Sequence, residues 1–187
     1  PMKKTNKDDG ITRFLYIGRI MKDKGIQEYL EAANRITKQY PNTEFQILGS
    51  YEEEQYRELI ENNPRVKYLG RSNDVREQIR EADCIVHPSY HEGMSNVLLE
   101  GAAMGKPLLA SNIPGCKEIV DNGSNGYLFE SKSVDSMVEK IRLFLALNAE
   151  QRMEMGLASR RKVEKEFDRN LVVEAYLQAI SEIIDRK

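Results

Sequence analysis

His91–Glu100 reads HEGMSNVLLE, shortly after the apolar run Cys84–His87 (CIVH) and the pair Pro88–Ser89. That order of residue types spells a strand, a loop and a helix. CIVH is a short apolar segment closed by a proline, as a buried strand is. Gly93 and Met94 turn the chain, Ser95 or Asn96 serves as the N-cap, and Val97, Leu98 and Leu99 continue inward. A helix starting there leaves the N–H groups near Gly93–Asn96 without intrahelical partners, open to an anion or a hydroxyl-rich ligand. Glu92 falls at the rim of that pocket and Glu100 little more than a turn into the helix. Such a pair suits a ligand with both phosphate and sugar hydroxyls: the phosphate takes the N–H groups, and the carboxylates accept from the hydroxyls. Alone, the same two residues read equally as a solvated loop acid and an acid answering the helix dipole.

Outward from this unit the pattern repeats. Thr12–Gly18, Glu44–Gly49, Val66–Gly70, Lys106–Ala110 and Gly126–Phe129 read as five further strands. Between them, Gly25–Tyr40 carries Ile26, Leu30, Ala33 and Ile36 at helical spacing and stops at Pro41. Glu52–Asn62 and Asn73–Ala82 are predicted helices, the second with Val75 and Ile79 inward. Pro114–Val120 is predicted as a loop and short helix in which Gly115 allows close backbone approach. Ser133–Leu147 (Ser133 the cap), Ala149–Lys165 and Asn170–Asp185 complete the helices. Strands alternating with helices imply an α/β fold: a Rossmann-like, parallel six-stranded sheet with helices on both faces, plus C-terminal helices. The polar, glycine-bearing loops Gly18–Gly25, Gly49–Ser50, Gly70–Asn73 and Pro88–Asn96 all follow strand carboxyl ends, the edge where open α/β sheets bind ligands.

On that rim, Arg19 and Lys24 lie between Gly18 and Gly25, where a guanidinium and an ammonium could clamp a diphosphate. A plain solvated loop fits the same residues equally well. Arg71, Ser72 and Asn73 follow the third strand and could meet a nucleobase, although a simple turn explains their spacing. The loop lacks both the glycine spacing of a dinucleotide fingerprint and the Gly-Lys-Ser/Thr of a P-loop. The charges, 28 basic against 30 acidic residues in 187, net −2, argue against a nucleic-acid binder. Two histidines and two cysteines give no metal-ligand spacing, so no metal is expected. His91 reads as a surface histidine and His87 as one packed in place. No Ser-centred elbow or triad is present. No apolar run reaches transmembrane length, and a reducing, cytoplasmic setting is expected.

In combination these residues resemble the C-terminal, donor-binding domain of family-4 glycosyltransferases of the GT-B fold. Gly18–Gly25, GRIMKDKG, resembles the family's Gly-Arg…Lys-Gly loop. Glu92 and Glu100, seven residues between them, resemble its paired-glutamate motif, and AAMGKPLLASNIPGCKEIVDNGSNGYLF resembles the segment that follows. The likeness runs from about Ile11 to Leu147, and its wording is nearest to capsular and surface-polysaccharide members.

The resemblance implies retaining transfer of a sugar from a nucleotide-diphosphate donor, UDP being the commonest carrier, without a cofactor or metal. It places Arg19 and Lys24 on the diphosphate, Glu92 with them as a reacting-site residue on the sugar, and Gly18, Gly93, Met94, Ser95 and Asn96 beside sugar and phosphate. Glu100 then holds the ribose and Arg71–Asn73 border the base; Met94 bears on sugar choice. Residues 1–10 are expected to be a linker or edge, 11–187 the donor domain, and 170–185 a helix crossing to an N-terminal half not in this chain. That half would bring a glycan or lipid-linked acceptor, and with it peripheral association at the inner membrane face. This domain alone is expected to be nearly inactive. A sugar-nucleotide epimerase domain and a non-catalytic nucleotide-binding module are the alternatives.

Overall fold

The computed structural model describes residues 9–168. Residues 1–8 of the expected linker 1–10, and the expected terminal helix 170–185, lie outside the described residues. Six strands form one sheet: β1 Thr12–Ile17, β2 Thr43–Leu48, β3 Val66–Tyr68, β4 Cys84–His87, β5 Leu108–Ser111 and β6 Gly126–Phe129. All five pairings are parallel, in the order β3-β2-β1-β4-β5-β6. Successive side chains of a strand face opposite ways, and here both ways are buried. In β1, Phe14 and Tyr16 enter one apolar cluster while Leu15 and Ile17 enter the other. That is why the strand reads as an unbroken apolar run.

The helices are α1 Ile26–Gln39, α2 Gln55–Glu61, α3 Arg76–Glu81, α4 Asn96–Ala103, α5 Val134–Ala146 and α6 Ala149–Glu166. Through Ile26, Tyr29, Ile36, Ile60, Ile141 and Phe144, helices α1, α2 and α5 pack on the Phe14 face, where Phe14 stacks on Phe45 at 5.0 Å. Ile79 of α3 and Leu98 and Ala102 of α4 cover the other face. Helix α6 touches both, with Met155 in the first cluster and Val163 and Phe167 against the second.

Three sequence expectations are corrected. Pro114–Val120 forms hydrogen-bonded turns and no helix, because Gly115 adopts φ +83 and interrupts helical backbone. The helix expected from Glu52 begins only at Gln55, since the amides of Glu52 and Glu53 are bonded to Ile20 O instead. The helix expected from Asn73 begins at Arg76, after Asp74 N has been taken by Ser72 Oγ at 3.1 Å.

The strand order fixes where a site can form. From β1 the chain moves outward to β2 and β3, then returns to β4 on the other side of β1. The loops leaving β1 and β4 therefore emerge side by side at the point where the strand order reverses, the edge where open α/β sheets bind ligands.

Candidate functional site

Strands β1 and β4 pair directly (Phe14 with Cys84, Leu15 with Ile85), so whatever follows each one emerges at the same edge. The β1 loop is held from below by Tyr16, whose hydroxyl donates to Arg19 O at 2.8 Å. It then makes a 3-10 turn over Lys22–Lys24, closed by Gly25 at φ +69. A Cβ on Gly25 would lie 2.1 Å from Pro88 O, closer than any side chain can come. Glycine is needed there twice over, for its left-handed backbone and for the crossing of the two loops. Tyr90 N, donating to Asp23 O at 2.9 Å, ties the loops together again.

This crossing brings Lys24 to Glu92. The lysine Nζ donates to Glu92 Oε1 at 2.7 Å, with the two side chains only 21% and 15% exposed. The same carboxylate oxygen lies 3.0 Å from His87 Nε2, on the buried last residue of β4. Burial pushes the Glu92 carboxyl up, but hydrogen bonds from His87, Lys24 and Ser89 outweigh it and hold the group at about 2, below its ordinary 4.5. Glu92 is thus an anion at neutral pH, and an ionised carboxylate only accepts hydrogen bonds.

Helix α4 rises behind this cluster. Ser95 is its N-cap, its buried Oγ accepting from Leu98 N at 3.3 Å. The expectation of unpaired N–H groups across Gly93–Asn96 is corrected at Ser95, whose own N–H donates to Gly115 O at 3.1 Å. With its hydroxyl oxygen in the cap and its amide on Gly115, Ser95 holds the loop, and only its hydroxyl proton is left to donate. Gly115 comes from the β5–β6 connection and sits at φ +83, where a Cβ would be 2.6 Å from Gly93 O. Gly93, Met94, Asn96 and Glu100 are exposed around the start and second turn of the helix.

The other expected site residues stand on the same edge without joining the Lys24–Glu92–His87 contact. Gly18 ends β1 partly buried, and Arg19 beside it is exposed. Arg71 and Asn73 are exposed after β3, while Ser72 Oγ donates to Asp74 O at 2.6 Å in a local turn. His91 is exposed. His87 is the residue the sequence reading missed as a partner of Glu92. Its five-residue separation from Glu92 across a Pro-Ser loop is a usable signal only once that loop is known to turn back on its strand. Among the described residues no group of three or more His, Cys, Asp and Glu side chains is gathered to hold a metal.

The fold and this edge define a Rossmann-like domain with cations after its first strand and acids after its fourth, both at the switch point. Residues 2–162 match the family model described as glycosyl transferases group 1, and the chain belongs to that family. It is 29% identical over 173 residues to the Campylobacter jejuni N,N'-diacetylbacillosaminyl-diphospho-undecaprenol alpha-1,3-N-acetylgalactosaminyltransferase, covering 91% of this chain and 44% of that protein. It is also 29% identical over 165 residues to the Staphylococcus aureus capsular polysaccharide biosynthesis glycosyltransferase CapM, covering 85% and 43%. The chain thus spans less than half the length of these curated relatives.

Among solved structures, Anabaena Alr3699/HepE in complex with UDP superposes with a TM-score of 0.82 at 21% identity, covering 92% of this chain and 49% of that one. This likeness speaks to the fold. The C-terminal domain of the Francisella tularensis group 1 glycosyl transferase LpcC superposes with a TM-score of 0.72 at 25% identity, covering 83% and 86%. The domain is therefore one Rossmann-like half of a GT-B glycosyltransferase fold.

Proposed function

We propose that this chain is the donor half of a retaining glycosyltransferase, binding a UDP-linked sugar across the edge between β1 and β4. The observation that carries the reading is the 2.7 Å contact of Lys24 with Glu92, since a diphosphate-binding cation and a sugar-binding acid must converge on one small molecule. Arg19 and Lys24 take the diphosphate and balance the charge that grows on the leaving group, the part a divalent metal plays in other transferases. Glu92 accepts from hydroxyls of the sugar. The exposed start of α4 faces sugar and phosphate, Glu100 takes the ribose hydroxyls, and Arg71–Asn73 border the base. Complexes with UDP among the fold neighbours and the undecaprenol-linked acceptor in the name of one relative support a UDP donor and a lipid-linked or glycan acceptor. Transfer itself requires the acceptor positioned against the donor, which we assign to a further N-terminal half and, for a lipid acceptor, to the membrane surface. The family match favours this over an epimerase or a non-catalytic module.

Calorimetric titration of UDP and UDP-sugars into this chain tests the reading. Saturable UDP binding that weakens on the order of tenfold in Arg19→Ala and in Lys24→Ala is the expected result, the scale of a charge-assisted hydrogen bond. Unchanged affinity in both variants, or no binding by the parent chain, would overturn it.

A further inference from the structure

Two of the side chains that hold Glu92 meet it at the same atom. Lys24 Nζ at 2.7 Å and His87 Nε2 at 3.0 Å converge on Oε1, and neither touches Oε2. The two anchors differ in kind. Lys24 is on the β1 loop, at the end of four rotatable bonds, and is the cation assigned to the donor's diphosphate. His87 is the last residue of a strand buried along its whole length, is paired in register with Ala110 of β5, and is 5% exposed. Its ring cannot follow the ligand.

Its other nitrogen, Nδ1, is buried and has no hydrogen-bond partner among the described residues. Against a carboxylate that can only accept, Nε2 must carry a proton and donate it. The imidazole thus has one polar attachment, and it is Glu92.

From this geometry we infer that His87 is a positioning residue for donor-sugar recognition, holding Glu92 by Oε1 so that Oε2 faces the sugar hydroxyls when Lys24 turns to the diphosphate. The inference rests on the donor-binding reading and adds a residue to it. In the empty site Lys24 and Glu92 neutralise each other. In the loaded site the phosphates draw the ammonium away, and a glutamate held by lysine alone would lose its fixed rotamer. A second anchor on a rigid strand keeps the acceptor oxygen in place, as discrimination among sugar epimers demands.

Calorimetry on this chain with UDP alone and with UDP-hexoses and UDP-N-acetylhexosamines separates the inference from the reading beneath it. The quantity of interest is the gain in affinity that the sugar adds over UDP. In His87→Leu and His87→Asn, whose side chains cannot reach Oε1, UDP affinity should stay within about twofold while the sugar gain falls on the order of tenfold. His87→Gln, whose amide nitrogen occupies the Nε2 position, should restore it. Equal loss of UDP and UDP-sugar affinity, an undiminished gain in His87→Leu, or no rescue by Gln would overturn the role. Parent chain that binds UDP but gains from none of the sugars also contradicts it, leaving the nucleotide site standing. Parent chain that binds no UDP removes the donor-binding reading itself. Should the variants fail to fold, 15N spectra of the parent chain give an independent answer: a proton on Nε2 is required, and an imidazole protonated on Nδ1 alone contradicts the inference.

Discussion

At the residue scale the site is one carboxylate between two nitrogen bases, and its consequences are separable. Glu92→Ala should leave UDP affinity nearly unchanged and flatten preference among UDP-sugars, whereas Glu100→Ala should weaken free UDP on the order of tenfold by losing its ribose contacts. Competition binding with a sugar panel distinguishes the two. Glu92 also links stability to pH. Its folded value, about 2, lies below its ordinary 4.5, so the stabilisation is fully present above the ordinary value and is lost as pH falls toward 2. Urea unfolding at pH 6 and pH 3 should therefore show a larger loss for the parent chain than for Glu92→Gln; equal losses would mean the carboxylate is not held this way. Much of this site was legible in the sequence: Arg19, Lys24, Glu92 and Glu100 each stand out by type and by place after a strand. Their sharing one rim was legible too, since both loops follow strand carboxyl ends; the direct contact of Lys24 with Glu92, 68 residues apart, was not, because only the order of the sheet sets those loops side by side. The Ser95 amide is a similar case, since its partner Gly115 enters from a connection between two later strands.

At the scale of elements, the site depends on loops that cross with no room between them. Gly25→Ala combines a left-handed backbone with a Cβ driven against Pro88 O. It should destabilise the chain by about 2–3 kcal/mol and weaken UDP binding beyond the fraction unfolded, because the crossing sets the Lys24–Glu92 distance. Thermal unfolding and calorimetry on the same samples check both parts. Ser95→Ala removes only a cap, so about 1 kcal/mol is expected in stability, with the α4 start less ordered. The strands were readable because most carry apolar residues on both faces, and the first three are closed by glycine. The helix starts were readable at α1, where Gly25 opens the helix, and where a side chain supplies the cap. Ser133 at α5 and Asn148 at α6 do so, Asn148 in a capping box with Gln151. Helices α2 and α3 have no such cap; the residues before α2 bond to Ile20 O, which no local pattern reveals, and those before α3 are held in the Ser72–Asp74 turn.

At the scale of the whole molecule, the chain spans less than half the length of the curated relatives it matches, and its proposed role as a donor half carries a prediction about transfer. This chain is expected to bind a UDP-sugar without transferring it, and a protein joining it to an acceptor-binding half to release UDP in the presence of acceptor. A coupled UDP-release assay on both forms checks this, and transfer by this chain alone would contradict it. Among the described residues no helix is long and apolar enough to cross a membrane. The most direct test of the central claim is an amide-resolved NMR titration of this chain with UDP. One saturating process should shift the amides of Gly18–Gly25 together with those of Gly93–Glu100, the two loops reporting a single Kd. Shifts confined to one loop, or to the groove between α1 and α2 lined by Glu28, Tyr56 and Asn63, would contradict the claim that the two loops form one site.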